Sequence, residues 1–325
     1  MKGSFDIIVK NNRIRYAFTI QRNITILRGD SATGKTTLIE MISEYERDGR
    51  ESGVEVVCDK DCVVLDRRNW ERDIEEYRDS IVFIDEGNPF VKSKAFAEKI
   101  KSSDNYYVIA TRDSLFNLPY SIEEIYGIKN VSGNRYQGTK RLYSEWYHLY
   151  NKDAFPERPE KVIIEDTNSA YQFFMELCAK EQIVCESAGG KSGIYRSILE
   201  SKDERILVIA DGAAFGPEME RVMSLNRVKR MACFLPESFE WLILRSGLVK
   251  KKELQNILKN PSIFIESEKY FSWEQFFTKL LVDTTQDTYL AYTKKKLNPT
   301  YLHDGNRKMI VKGINEVSGE KLFNA

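Results

Sequence analysis

Residues 29–37 read Gly-Asp-Ser-Ala-Thr-Gly-Lys-Thr-Thr and follow directly on Asn23-Ile24-Thr25-Ile26-Leu27. Glycine at 29 and 34, lysine at 35 and a hydroxyl at 36 fit one job. The glycines let the backbone curl until successive N–H groups point at phosphate oxygens, an approach that a Cβ at either position would obstruct. Lys35 then reaches the outer phosphates, and Thr36 offers its hydroxyl to Mg²⁺. A helix through Leu38-Ile39-Glu40-Met41-Ile42 directs the positive end of its dipole at the same place. Gly29, Asp30, Ser31, Ala32, Thr33, Gly34, Lys35, Thr36 and Thr37 are therefore expected to bind a nucleotide. A loop of this kind needs a strand before it and a helix after it, which constrains the first half of the chain to an α/β sheet.

The run Ser80-Ile81-Val82-Phe83-Ile84-Asp85-Glu86 supplies the complement: four apolar residues for a buried strand, then two carboxylates at its C-terminal tip. Strand C-termini of an open α/β sheet face the ligand crevice. Asp85 is thus expected to help hold Mg²⁺, and Glu86 to orient or deprotonate the attacking water. Having both acids favours hydrolysis over phosphoryl transfer to a small molecule. A further strand, Tyr106–Ala110, ends in Thr111-Arg112, where Thr111 is the expected sensor of the γ-phosphate. Arg112 has two open readings, a contact to that phosphate or a surface ion pair. Ahead of the loop, Phe5–Val9, Asn11-Asn12 and the alternation Ile14, Tyr16, Phe18, Ile20 predict an added β-hairpin.

Hairpin, GDSATGKTT (Walker A), IVFIDE (Walker B) and IATR, in that order, resemble P-loop ATPases of the ABC and AAA-like class over roughly residues 1–145. The likeness implies ATP and Mg²⁺ as ligands, with Lys35, Glu86 and Thr111 as catalytic residues. It departs from the ABC pattern in the short stretch between Thr37 and Ile81, which has no LSGGQ-like signature, and in Arg112, which stands where a switch histidine is expected. The nucleotide site is therefore expected to be completed by a second copy or another protein.

A chain of 325 residues suggests two domains. Pro156 and Pro159 among charges place a linker at 151–160, between a nucleotide-binding domain at 1–150 and a second α/β domain at 161–325 with a C-terminal helical extension. Forty-nine basic and 49 acidic residues give no net charge, so nothing global calls for nucleic acid or a membrane surface. Five scattered cysteines suit reduced thiols better than a disulfide framework or a metal site. No run approaches the ~18 apolar residues of a spanning helix, so a cytoplasmic protein is expected.

After the linker, strand and helix patterns alternate from Lys161 to Arg245, predicting a parallel sheet. The turn Gly189-Gly190-Lys191-Ser192 is no second Walker A, because Cys185 stands where the first glycine is required. Acids recur at strand ends: Glu165, Asp211 and, opening a later helix, Glu237 and Glu240. Convergent carboxylates repel one another unless a divalent cation holds them. This order resembles the TOPRIM domain of overcoming-lysogenisation-defect nucleases and related mobile-element or anti-phage proteins, over about residues 160–245. The resemblance implies a second metal site at Glu165, Asp211 and Glu240 and a nucleic-acid partner. Asp166 and Ala213 depart from it, where a glycine and a second aspartate are expected. Two readings stay open: an ATPase governing a metal-dependent nucleic-acid domain, or a nucleotide-switched binding module whose TOPRIM-like half is inactive. The basic runs 250–252 and 294–296, with aromatics between them, have two readings, a track for a nucleic-acid backbone or, preferred, solvated helix faces over core aromatics.

Overall fold

A computed structural model describes residues 1–29, 33–66, 68–131, 142–150, 158–202 and 205–324. The protein is α/β, with a large mixed sheet and a second, parallel one. Two compact units divide the chain: Met1–Tyr150 with Asn260–Ser272, and Asn151–Lys259 with Trp273–Ala325. The sequence expects 161–325 in one piece, but residues 260–272 belong with the first unit. Hydrogen bonds from Gly3 N to Ser262 O (2.8 Å), Ser267 N to Met1 O (2.9 Å) and Asn23 Nδ2 to Phe271 O (2.8 Å) hold them there.

The first unit carries strands β1 (Phe5–Lys10), β2 (Ile14–Ile20), β3 (Ile24–Leu27), β4 (Glu55–Val57), β5 (Cys62–Val64), β6 (Ile81–Ile84), β7 (Tyr106–Ala110), β8 (Ile125–Val131) and β9 (Leu142–His148). They form one sheet in the order β4-β1-β2-β9-β8-β3-β7-β6-β5. β1 and β2 make the expected antiparallel hairpin, turned by Asn11, whose side-chain oxygen accepts from Arg13 N (2.8 Å) and Ile14 N (2.9 Å). β3, β7, β6 and β5 run parallel; β3, β6 and β7 are buried along their whole length, which is why they read as unbroken apolar runs.

β4 and β5 occupy opposite edges, yet only residues 58–61 join them. Five Cα steps reach at most roughly 18 Å, whereas nine strands laid flat would span roughly 38 Å. The sheet must therefore curl. The helix Lys35–Asp48 fills the curl, burying Leu38, Ile39, Met41 and Ile42 in one core with Ile7 and Val9 of β1, Phe83 of β6 and Val108 of β7. Trp146 of β9 packs against the same core, stacked on Phe18 with ring centroids 3.8 Å apart.

In the second unit, β10 (Lys161–Ile164), β11 (Val184–Ser187), β12 (Ile206–Ile209) and β13 (Met231–Phe234) are all parallel, in the order β11-β10-β12-β13. Winding reverses between β10 and β12, and a crevice opens beyond the carboxyl ends of strands at such a point. Among the described residues no helix is long and apolar enough to cross a membrane.

Candidate active site

In the first unit, β3 leads into the loop that ends on the helix Lys35–Asp48. Gly29 and Gly34 have φ of +138° and +95°, both in the region that strains an L side chain. A Cβ on Gly34 would also lie 2.8 Å from the Tyr16 hydroxyl. That hydroxyl, on fully buried Tyr16 of β2, donates to the Gly34 carbonyl at 2.9 Å. Burial pushes the Tyr16 phenol up to about 12, so it remains a donor at neutral pH. The hairpin thus braces the loop, a role that the alternation of Tyr16, Phe18 and Ile20 signals only as burial. Lys35, 5% exposed, folds its ammonium back onto Gly29 O (2.7 Å) and Thr33 Oγ1 (3.2 Å). Thr36 and Thr37 are exposed at the helix start. Asp30, Ser31 and Ala32 lie outside the described residues.

β7 lies between β3 and β6, pairing Leu27 with Ala110 and Ile84 with Ile109, so the three strand ends stand side by side. Asp85 follows β6 and accepts at one carboxylate oxygen from Thr36 Oγ1 (3.3 Å) and from Glu86 N (2.8 Å). Glu86 is ion-paired with Arg112 Nε at 2.7 Å. Of the two readings of Arg112, the structure has the ion pair, and its partner is the candidate base itself. Thr111 is buried at the end of β7, where its hydroxyl accepts from Asp113 N at 3.0 Å.

The second unit brings Glu165, Asp211 and Glu240 to the crevice end of its sheet. Asp211 N donates to Glu165 Oε2 (3.0 Å), and Phe239 N donates to Asp211 Oδ1 (3.2 Å). Glu240 sits in the first turn of the helix Phe239–Arg245, 1% exposed. Its Oε1 accepts from the Tyr292 hydroxyl at 2.9 Å, while its buried Oε2 has no hydrogen-bond partner among the described residues. Two further residues join them: Glu274, in the first turn of the helix Trp273–Thr285, and its ion-pair partner Lys294. With Glu165, Asp211 and Gly190 they line a cavity of about 140 Å³.

Burial pushes the Glu165 carboxyl up to about 7, against the pull of the Asp211 N–H, with Glu274 adding repulsion. Asp211 is raised well above its ordinary value by burial and then by Glu274, Glu165 and Glu240. Burial raises Glu240 as well. For Lys294 burial disfavours the charge, but Glu274, Asp211 and Glu240 outweigh it and hold the ammonium above the ordinary lysine range. Among the described residues no three His, Cys, Asp or Glu side chains are gathered so as to hold a metal ion. Glu165, Asp211 and Glu240 therefore do not, as arranged, fit the metal centre expected of them. Backbone donors occupy an oxygen of Glu165 and of Asp211, a phenol occupies one of Glu240, and a lysine supplies positive charge beside them.

Elsewhere in this unit, Gly190 N donates to Glu165 O (2.8 Å), seating the Gly189-Gly190 turn against the end of β10. Asp166 accepts from Thr167 N (2.9 Å) and Ala170 N (3.1 Å), so it organises the start of the helix Ser169–Glu181. Ala213 is 2% exposed, so an aspartate there would be another buried acid. All five cysteines are free thiols. Sequence reasoning missed both Glu274 and Lys294: an acid in the first turn of a helix signals only dipole compensation, and the Lys-Lys-Lys run reads as solvent-facing. Comparison with protein-family models and with curated protein sequences finds no match.

Proposed function

We propose that the chain binds ATP with Mg²⁺ and hydrolyses it, and that the nucleotide state of the first unit controls a TOPRIM-like second unit. The observation that carries this reading is the meeting of Thr36 and Asp85, 49 positions apart in sequence, at 3.3 Å beside the loop that bears Lys35. A hydroxyl and a carboxylate sharing one point are the pair that would hold the Mg²⁺ of a bound nucleotide, whose charge would offset that of the phosphates. Lys35 would exchange Gly29 O for a phosphate oxygen. Glu86 would turn from Arg112 to orient the attacking water and take its proton, and Thr111 would lie along the γ-phosphate.

For the second unit we favour the binding reading: a TOPRIM-like module that recognises nucleic acid or a protein without metal-dependent cleavage. The hydrogen bonds already held by Glu165, Asp211 and Glu240, and the Lys294–Glu274 ion pair beside them, support it. A second copy or a partner protein would complete the nucleotide site, in a cytoplasmic setting. Titration with a fluorescent ATP analogue and assay of phosphate release test the first half. Lys35→Ala should lose binding, and Glu86→Gln should keep binding within a few-fold while turnover drops by at least about a hundredfold. Equal turnover in Glu86→Gln and the unaltered protein would remove Glu86 as the base.

A further inference from the structure

The acids of the second unit pose a charge problem that the chain answers with its own residue. Glu165, Asp211, Glu240 and Glu274 act on one another electrostatically at the crevice end of the sheet. Buried like charges of this number need protons or a cation among them. Two lysines act on these acids: Lys191 reaches Glu165 but donates to Ala214 O at 3.3 Å, whereas Lys294 is paired to Glu274 and lines the same cavity as Glu165 and Asp211.

Its position is fixed by the strap on which it rides. Tyr292 N donates to Thr285 Oγ1 (3.1 Å), and the Tyr292 hydroxyl donates to Glu240 (2.9 Å). Ser169, fully buried at the start of the helix Ser169–Glu181, donates its hydroxyl to Thr293 O (2.7 Å) and its N–H to Lys294 O (3.1 Å). Residues 292, 293 and 294 are thus each tied down, and the Lys294 ammonium is delivered to the acids at small entropic cost. Its side chain lines the cavity and keeps 39% exposure, so solvent reaches it.

We infer that Lys294 is the resident cation of this centre, filling the charge role that a divalent ion would otherwise fill, and that its removal uncovers a latent divalent-cation site. The unaltered unit then folds without metal and binds divalent cations weakly, because Glu274 is already ion-paired and an ammonium lines the cavity. The inference does not rest on ATP hydrolysis. Only its metal arm rests on reading Glu165 and Asp211 as divalent ligands.

The test uses the full chain as Lys294→Met, Lys294→Arg and the double variant Glu274→Gln/Lys294→Met. Thermal unfolding is followed in EDTA and in millimolar Mn²⁺, and Mn²⁺ binding is measured by calorimetry. The unaltered protein should melt alike in EDTA and Mn²⁺. Lys294→Met should melt several degrees lower in EDTA, recover in Mn²⁺, and bind Mn²⁺ at least about tenfold more tightly. Lys294→Arg keeps the charge and should behave as the unaltered protein. The double variant should be more stable in EDTA than Lys294→Met, because it removes the carboxylate left without its partner. Unchanged melting and unchanged Mn²⁺ affinity in Lys294→Met would overturn the inference, as would an unaltered protein that itself needs Mn²⁺ to reach its full melting temperature. Should Lys294→Met not fold, recovery of folding in the double variant supports the resident cation, and a double variant equally unfolded contradicts it. A Lys294→Met protein destabilised in EDTA but indifferent to Mn²⁺ would keep the resident cation and reject Glu165 and Asp211 as ligands.

Discussion

At Gly34 two constraints act on one atom that is not there. The backbone φ of +95° disfavours any L side chain, and a Cβ would lie 2.8 Å from the hydroxyl of a tyrosine that cannot move out of its core. The conformational cost alone is roughly 1–2 kcal/mol, and relieving the contact means breaking the Tyr16–Gly34 hydrogen bond. Gly34→Ala should therefore weaken ATP binding by more than about tenfold. Tyr16→Phe, which loses only a hydrogen bond worth about 0.5–1.5 kcal/mol, should weaken it between twofold and tenfold. Titration with a fluorescent ATP analogue checks both, and undiminished binding by Gly34→Ala would deny that this loop cradles phosphate. Motif spacing makes Lys35, Thr36, Asp85 and Glu86 legible in the sequence as a candidate site, because phosphate and metal chemistry would dictate both residue type and interval. Nothing of that kind marks Tyr16, Glu274 or Lys294. Their roles come from contacts between distant segments, and a residue's own neighbours in sequence carry no record of those.

Strand ends are the elements that build both centres, and here the sequence is informative about existence and poor about neighbourhood. β3, β6 and β7 stand out as apolar runs because both faces of each are covered, and β10 to β13 stand out through their alternation with helices. That β4 and β5 lie on opposite edges of a curled sheet, and that residues 260–272 return to the first unit, depends on pairings with no local signature. The end of β10 gives a prediction of its own. Glu165 has its carboxyl raised from 4.5 to about 7 in the folded chain, so the folded state binds more protons than the unfolded state between these values. Stability then falls as pH rises through this window, the contribution being complete below about 4.5 and lost above about 7. Glu165→Gln keeps an acceptor for Asp211 N and cannot ionise. In EDTA it should match the unaltered protein near pH 4.5 and exceed it above pH 7 by on the order of 3 kcal/mol. Urea unfolding at the two pH values measures this, and a difference independent of pH would show that Glu165 does not titrate in this range.

For the whole molecule, two α/β units each bring carboxylates to the carboxyl ends of parallel strands, but the two sets are neutralised differently. In the first unit Asp85 meets a hydroxyl and Glu86 meets an arginine, partners that the proposed nucleotide would displace. In the second, a lysine on a pinned strap is part of the fold. In the proposed reading turnover belongs to the first unit and recognition to the second, and its central claim is that the residues named cleave ATP. The most direct measurement is the fate of radiolabelled ATP under single-turnover conditions, with protein in excess. The unaltered protein should convert bound ATP to ADP and phosphate, while Glu86→Gln should retain it as ATP over the same interval and Lys35→Ala should retain none. Bound nucleotide recovered as ATP from the unaltered protein, or as ADP in equal measure from Glu86→Gln, would contradict the account.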